Sequence, residues 1–438
     1  MPPLLLTGVS LLAAAAGHAA QYIVVGDAPR SPAGLERQIS RAGGEIVAHL
    51  ESIGVLVVEG DESFAERTRR LPGVRSVTPD QSVPLVDDFP VAESVSLADS
   101  GAEAVPGLSD PLAALQWGLL AVDAPAAWAE GATGRGVRVA VLDSGVDAGH
   151  PDLAANVSAA LSTSFVPDEG FDDPPGIHGT RVAGVIAAAA NELGIVGVAP
   201  QAEIVAVKVL SAKTHFGSFG GVLEGIVYAA DIGAQIANLS FSVPGGLDPR
   251  QPGVGEILLA TQRAITYAHD RGVTILAAAG NEGRDVDGKS SFPYPAGLAH
   301  VVAVSATAPI GWGATPSVFL DHPSSYSSAG LSLLSVAAPG GDFLYPGRET
   351  CSGLPCWILD LVFSTTPGGW GWSAGTSMAV PHAAGVAALL LDAAGGSLTP
   401  EEVEAALRRG ADDLGELGPD ARYGHGRVNA ARSLSPPR

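Results

Sequence analysis

Cysteine is nearly absent from this chain: among 438 residues there are two, Cys351 and Cys356, separated by Ser-Gly-Leu-Pro. No histidine flanks them, which excludes a structural zinc centre, since such a site needs about four sulfur or nitrogen ligands. Positive charge is scarce as well. Lys and Arg total 24 against 46 Asp and Glu, a formal net charge of −22, and the basic residues are nearly all arginine. An acidic surface of this kind excludes nucleic acid and anionic membrane as partners. Charged residues of both signs make up only 16% of the chain while hydrophobic residues reach 46%, which excludes a disordered chain and supplies a large core. Internal repeats are lacking, and beyond the first residues no run approaches the roughly 20 apolar residues that span a bilayer.

What is present begins with a leader. Residues 1–20 run from Met-Pro-Pro-Leu-Leu-Leu to Ala-Ala-Ala-Ala-Gly-His-Ala-Ala, a short apolar segment ending in small residues suited to cleavage. That is the pattern of a signal peptide, although no Lys or Arg precedes the apolar part. The expected product is secreted, with no membrane association after signal cleavage. In such a compartment Cys351 and Cys356 are expected to form a disulfide, whose short loop pins a local surface feature.

Residues 21–88 alternate in type. A β-rich start at 22–25 leads to a helical stretch at 35–42, a strand at 54–59, a polar helix at 62–71 and a further extended stretch at 72–77. This reads as a small α+β domain. Residues 89–112 are acidic, interspersed with Gly, Pro and Ser and without periodicity, and read as a linker. Residues 113–438 then alternate near-continuous apolar strands (137–143, 204–210, 236–240, 273–277, 300–304) with helices (221–232, 255–270). The expectation is an α/β fold, a mainly parallel sheet with helices on both faces. Near the end, Thr399-Pro400-Glu401-Glu402 forms a capping box that opens a final amphipathic helix.

The chemistry gathers at element ends. Gly375-Thr376-Ser377-Met378-Ala379-Val380-Pro381-His382 feeds an apolar run, 383–391, with the make-up of a buried helix. A hydroxyl there meets free backbone N–H groups and the positive end of the helix dipole, which favour developing negative charge. The plain alternative is a helix cap. Asp143 closes the strand Val-Ala-Val-Leu-Asp, where a carboxylate must be paired, because burying it bare is costly. His178, in Ile-His-Gly-Thr-Arg-Val-Ala-Gly, precedes a helix of small apolar residues and stands beside Gly179, Ala183 and Gly184, whose small size permits the tight packing that fixes a general base. Asn281 ends another strand in Ala-Ala-Ala-Gly-Asn-Glu-Gly, either as a turn residue or as an amide donor aimed into a site.

Asp143-Ser144-Gly145, His178-Gly179-Thr180, Gly280-Asn281 and Gly375-Thr376-Ser377-Met378-Ala379-x-Pro381-His382 together resemble the motifs of the subtilisin-like serine proteases, the subtilases. The resemblance extends from about residue 116 to 433 and includes Gly424-His425-Gly426-Arg427-Val428-Asn429-Ala430. It implies Ser377 as nucleophile, His178 as general base and acid, Asp143 as its orienting carboxylate, and Asn281 with the Ser377 N–H as the oxyanion hole. The triad order and the asparagine donor are known features of subtilisin, so they come from the resemblance and not from spacing. The implied activity is endopeptidase cleavage of polypeptide substrates through an acyl-enzyme, with no catalytic cofactor.

Residues 21–88 resemble the family's inhibitory propeptide, implying a zymogen whose propeptide assists folding, inhibits, and is cut in the acidic linker. A monomer is expected. Substrate is expected as an added strand between Ser240-Phe241-Ser242 and Gly217-Ser218. Ser242 and Val243 stand where glycines are common in the family, which narrows the main specificity pocket. The resemblance also implies a structural calcium ion held by Asp152, the side chain of Asn191 and the carbonyls of Ala189, Leu193 and Ile195. A catalytically silent subtilase that serves as a binding or scaffold protein is the alternative. A Ser-Asp-Glu relative would need Glu in place of His178, and a lipase would need a Gly-x-Ser-x-Gly elbow around Ser377.

Overall fold

The computed structural model describes residues 20–30, 34–84, 89–95, 110–351 and 353–435, so the leader, all but Ala20, lies outside the described residues. The chain forms two compact units, one ending at Gln81 and the other beginning at Ser82. The first unit carries strands β1 (Ala20–Gly26), β2 (Glu45–Leu50), β3 (Val55–Gly60) and β4 (Val74–Pro79), with helices α1 (Leu35–Arg41) and α2 (Phe64–Thr68). Its antiparallel sheet has the order β2-β3-β1-β4. Alternate residues Tyr22 and Val24 of β1 and Leu56 and Val58 of β3 face one core with Leu35, Ile39 and Phe64. The period of two in the strands and of about four in α1 is what puts these side chains on a shared face.

The second unit opens with two short strands, β5 (Ser82–Pro84) and β6 (Phe89–Val95), before helices α3 (Trp117–Ala121) and α4 (Ala124–Ala129). Strands β7 (Arg138–Asp143), β8 (Thr163–Ser164) and β9 (Glu203–Lys208) follow, with helix α5 (Ile177–Ala187) between the last two. Next come β10 (Phe216–Ser218), α6 (Phe219–Asp231), β11 (Ile236–Leu239), α7 (Val254–His269), β12 (Thr274–Ala278), β13 (Val301–Ala308), β14 (His322–Pro323) and β15 (Val336–Pro339). The central sheet runs β14-β13-β12-β11-β7-β9-β8 with β15 also on β13, and all its pairings are parallel except β13 with β14. Every residue of β11, β12 and β13 is buried, as expected for parallel strands covered on both faces.

A small hairpin, β16 (Thr350–Cys351) with β17 (Leu354–Pro355), carries the Cys351–Cys356 disulfide. Strands β18 (Val362–Thr366) and β19 (Gly369–Ala374) lead into α8 (Thr376–Ala393), followed by α9 (Pro400–Gly410) and α10 (Ala430–Leu434). Helix α8 is apolar all round and 89% buried, which marks a core helix, although its 18 residues have the length of a membrane span. Helix α9 starts with the capping box of Thr399 and Glu402. The linker reading of 89–112 misses one element: residues 89–95 form β6, which pairs antiparallel with β19. Backbone pairing to a neighbouring strand requires no periodicity in the sequence, so the pattern carried no sign of it.

Candidate active site

Parallel strands deliver their carboxyl ends to one edge of a sheet, and the sites gather there. Asp143 is the last residue of β7 and is fully buried. His178 is the second residue of α5, not a residue before it, and is 2% exposed. Its Nδ1–H donates to both Asp143 oxygens, at 2.8 and 2.9 Å. A carboxylate only accepts, so the proton of a neutral imidazole sits on Nδ1 and Nε2 is the basic nitrogen. Asp143 also accepts the Ser144 N–H at 2.6 Å.

Close approach of α5 to β7 makes this pair possible. A side chain at Gly179 would stand 2.3 Å from the Gly145 carbonyl and 3.1 Å from Asp143, so only glycine fits beside His178. The Gly179 N–H donates to Ser144 Oγ (3.1 Å), and Thr180 Oγ1 both caps back to the Gly176 carbonyl (2.6 Å) and accepts from the Asp147 N–H (3.0 Å). From the far side Ser364 and Thr365 of β18 donate to the carbonyls of Arg181 and Thr180, each at 2.7 Å. The imidazole is thus carried on a helix fixed at both faces.

Ser377 is the second residue of α8 and 5% exposed. Its N–H belongs to the first helical turn, where no intrahelical acceptor exists. Gly375, with φ of 149°, makes the turn from β19, and its N–H donates to the Gly340 carbonyl at the end of β15 (3.0 Å). A methyl group placed on Gly375 would lie 2.7 Å from Ser377 Oγ and 3.5 Å from Asn281 Nδ2, so these two groups face the same point. Asn281 follows β12, and its amide oxygen accepts from Thr376 N–H and Oγ1–H, both at 2.8 Å. That fixes the amide orientation. Thr376 is a site residue the sequence reading missed, since a threonine before a helix signals only a cap.

The expected substrate segments separate into two kinds. Ser242 lines a pocket, whereas the Ser240 side chain is buried with its Oγ accepting from Asn238 (2.8 Å) and the Phe241 ring is in the core. Gly217 and Ser218 lie in β10, where they pair antiparallel with Val83 and Ser82 of β5, while Phe216 pairs with Pro84. Ser218 also caps α6 through Gly221 (3.0 Å). On the other flank β6 pairs with β19 as far as Phe89 opposite Ala374, the residue before Gly375. The chain's own residues 82–84 and 89–95 therefore lie as added strands, the first on β10 and the second on β19, the strand that leads to the serine.

A second omission of the sequence reading is Lys208, opposite Asp143 in the β7–β9 register. It is fully buried, pairs with Glu169 at 2.7 Å and donates to the Pro174 carbonyl at 2.8 Å. Burial acts to raise the Glu169 pKa, but the hydrogen bonds from Lys208 and Ser211 outweigh it and the net direction is down. A lysine inside the apolar strand Ile-Val-Ala-Val-Lys-Val-Leu was the available signal, because a buried ammonium demands a partner.

Asp152 is fully buried. Its Oδ2 accepts from the Ile195 N–H (2.8 Å) and the Trp370 indole N–H (2.7 Å), while Oδ1 has no protein partner. Asn191 spans the same corner, its Nδ2 donating to the Pro151 carbonyl (3.1 Å) and its Oδ1 accepting from the Leu193 N–H (3.0 Å). An orphaned, buried carboxylate oxygen fits a hard cation. Among the described residues no group of three or more His, Cys, Asp or Glu side chains could hold a metal ion.

Comparison with known proteins places this arrangement. The model of the Subtilase family matches residues 134–426. Subtilisin BL of Lederbergia lenta is 37% identical over 316 residues, covering 72% of this chain and 96% of its own. Subtilisin E of Bacillus subtilis (strain 168) is 33% identical over 394 residues, covering 89% of this chain and 83% of its own. Among solved structures, the epidermin leader peptide processing serine protease from Staphylococcus aureus superposes with a TM-score of 0.76 at 23% identity, over 95% of this chain and 98% of that one, a likeness of fold. Fervidolysin from Fervidobacterium pennivorans gives a TM-score of 0.70 at 26% identity, over 97% and 62% respectively.

Proposed function

We propose, because this chain belongs to the subtilase family and is a serine endopeptidase, that Ser377, His178 and Asp143 carry its peptide hydrolysis, with Asn281 as an oxyanion donor. The observation that carries the reading is the buried Asp143–His178 pair, its histidine on α5, a helix packed against α8, at whose start Ser377 Oγ and Asn281 Nδ2 face one point. Ser377 Oγ attacks the scissile carbonyl and His178 Nε2 takes its proton. The charge on the former carbonyl oxygen meets Asn281 Nδ2–H and the Ser377 N–H. Asp143 holds the imidazole tautomer and stabilises the imidazolium. Collapse transfers the proton from Nε2 to the leaving amine, and water repeats the sequence on the ester. Ser377→Ala is expected to abolish cleavage of casein; full activity in that variant overturns the assignment.

The enzyme is made as a self-processing zymogen in this reading. Strand β5 occupies the β10 edge expected for substrate, and β6 occupies the strand that leads to the serine. Four residues, Leu85-Val86-Asp87-Asp88, join these two strands in the sequence. Scission falls within 85–88, just ahead of the acidic segment in which it was expected. The Ser377→Ala precursor is expected to stay uncut while wild type loses its N-terminal unit; equal trimming of both excludes self-processing. Secretion by the 1–20 leader belongs to the same proposal and is tested by N-terminal sequencing of exported material.

Calcium at Asp152 is also part of the proposal. Asp152 Oδ1, the Asn191 amide oxygen and the carbonyls of Ala189, Leu193 and Ile195 would hold it. A cation there supplies charge compensation to a buried carboxylate and ties the 189–195 loop to Asp152; it takes no part in the hydrolysis.

A further inference from the structure

Beside Asn281 a pocket opens between the segment after β11 and the segment after β12, lined by Ser242, Val243, Gly280, Glu282, Arg284 and Pro293. Because Gly280 and Asn281 are consecutive, a substrate whose carbonyl oxygen faces Asn281 Nδ2 directs into this pocket the side chain of the residue that supplies that carbonyl. Two charged side chains frame it. Arg284 donates to the Gly245 carbonyl at 2.7 Å and to Ser291 Oγ at 3.1 Å, so its guanidinium bridges the two walls. Glu282 accepts from the Gly245 N–H at 3.3 Å and from Ser328 Oγ at 3.1 Å. Both walls are thereby clamped: a side chain added at Gly245 would meet Arg284 at 3.3 Å.

We infer that Arg284 sets the primary specificity of this enzyme, restricting cleavage to bonds that follow a short uncharged aliphatic residue such as valine or leucine. The inference rests on the endopeptidase reading and deepens it. Room is limited because the guanidinium crosses from Gly245 to Ser291, both of which line the pocket, and because Ser242 and Val243 add side chains to its lining. An aromatic ring would have to displace a cation that is hydrogen-bonded at both ends. Charge is excluded from both directions. An entering ammonium would gain Glu282 but face Arg284, and an entering carboxylate would gain Arg284 but face Glu282, each losing its hydration on the way. The zymogen carries a matching sequence, since of the four residues 85–88 the first two are Leu85 and Val86 and the others are acidic. Self-processing accordingly follows Leu85 or Val86.

The test uses processed enzyme and peptides that differ only in the residue before the scissile bond: Val, Leu, Phe, Lys or Glu. Wild type is expected to favour Val and Leu over the other three by about 10-fold or more in kcat/KM, the lower range of discrimination by pocket fit. Arg284→Ala is expected to bring the Phe-to-Leu ratio to within about threefold, still on the scale of fit in an apolar pocket. Arg284→Lys, which keeps the charge but cannot bridge both walls, should shift the ratio the same way if the alanine variant does not fold. N-terminal sequencing should place the self-processing cut after Leu85 or Val86. Cleavage after Phe or Lys as efficient as after Leu, a ratio unmoved in both variants, or a cut after Asp87 or Asp88 overturns the inference. A wild type that hydrolyses none of the peptides and not casein fails the endopeptidase reading itself.

Discussion

The amide oxygen of Asn281 accepts two hydrogen bonds from one residue, Thr376, through its N–H and its Oγ1–H, each at 2.8 Å. Thr376 immediately precedes Ser377, so the amide oxygen is engaged by the turn that carries the serine, and Nδ2 lies toward Gly375. Removing one oxyanion donor costs on the order of 10²–10³ in kcat, a figure from enzymes of this kind and not from the present geometry, and it is the expectation for Asn281→Ala. Thr376→Val keeps the shape and the N–H but deletes one bond of about 1 kcal/mol, predicting roughly a fivefold fall in kcat. KM should stay near wild type in both, because the lost interaction belongs to the transition state. A Thr376→Val enzyme with altered KM and unchanged kcat would contradict the positioning role.

Gly179→Ala tests the packing that seats His178. The added methyl would stand 2.3 Å from the Gly145 carbonyl, a backbone atom that cannot swing aside. Overpacking of this kind costs about 1–3 kcal/mol. Urea unfolding should show that loss, and kcat should fall further than stability alone explains, since α5 must move away from Asp143. Wild-type stability and turnover together would refute the argument.

His382 predicts a pH dependence. Burial pushes its imidazole down from 6.5 to about 4, against the opposing effect of its hydrogen bonds, one of them to the Met378 carbonyl. The folded state holds the neutral ring, whereas the unfolded chain takes up a proton below 6.5. This contribution to stability is therefore complete above about pH 6.5 and lost as pH falls toward about 4. Asp360 works in the other sense: burial raises it from 3.8 to about 6, so its share is lost as pH rises through that window. Comparing urea midpoints of wild type and His382→Gln across this range isolates the histidine. The wild type should lose more stability on acidification than the variant; parallel curves would remove the claim.

Chelation tests Asp152. Excess EDTA should lower the Tm of the processed enzyme by a few degrees or more, as removal of any ligand specific to the native state does. Asp152→Ala should lower Tm and abolish the chelator response. An EDTA scan that overlays the untreated one would leave the Trp370 and Ile195 hydrogen bonds as the sole support of this carboxylate.

Much of the frame could be read from the chain. The continuous apolar runs around Val139, Val205 and Ile275 specify buried parallel strands, because only a sheet covered on both faces accommodates them. The Thr399 capping box and the Cys351–Cys356 loop are local devices, complete within a few residues, and the structure contains both. Tertiary partnerships were less legible. Ser240 and Phe241 carry no mark that separates them from Ser242, yet the first two are buried and the third lines the pocket.

The sequence by itself determined that the candidate residues gather at element ends: Asp143 at a strand end and Ser377 at a helix start, with His178 read just ahead of the helix whose first turn it joins and Asn281 read as the end of a strand that closes at Ala278. These follow from short-range rules of periodicity, capping and turns, which act between near neighbours along the chain. Only the tertiary structure decided that Thr376 grips Asn281 across 95 positions, that Arg284 bridges Gly245 to Ser291, and that residues 82–84 and 89–95 add as strands to β10 and β19. Those contacts depend on how separate elements meet, and the hydrogen-bonding capacity of a threonine, an arginine or an extended backbone is the same wherever it stands in a sequence.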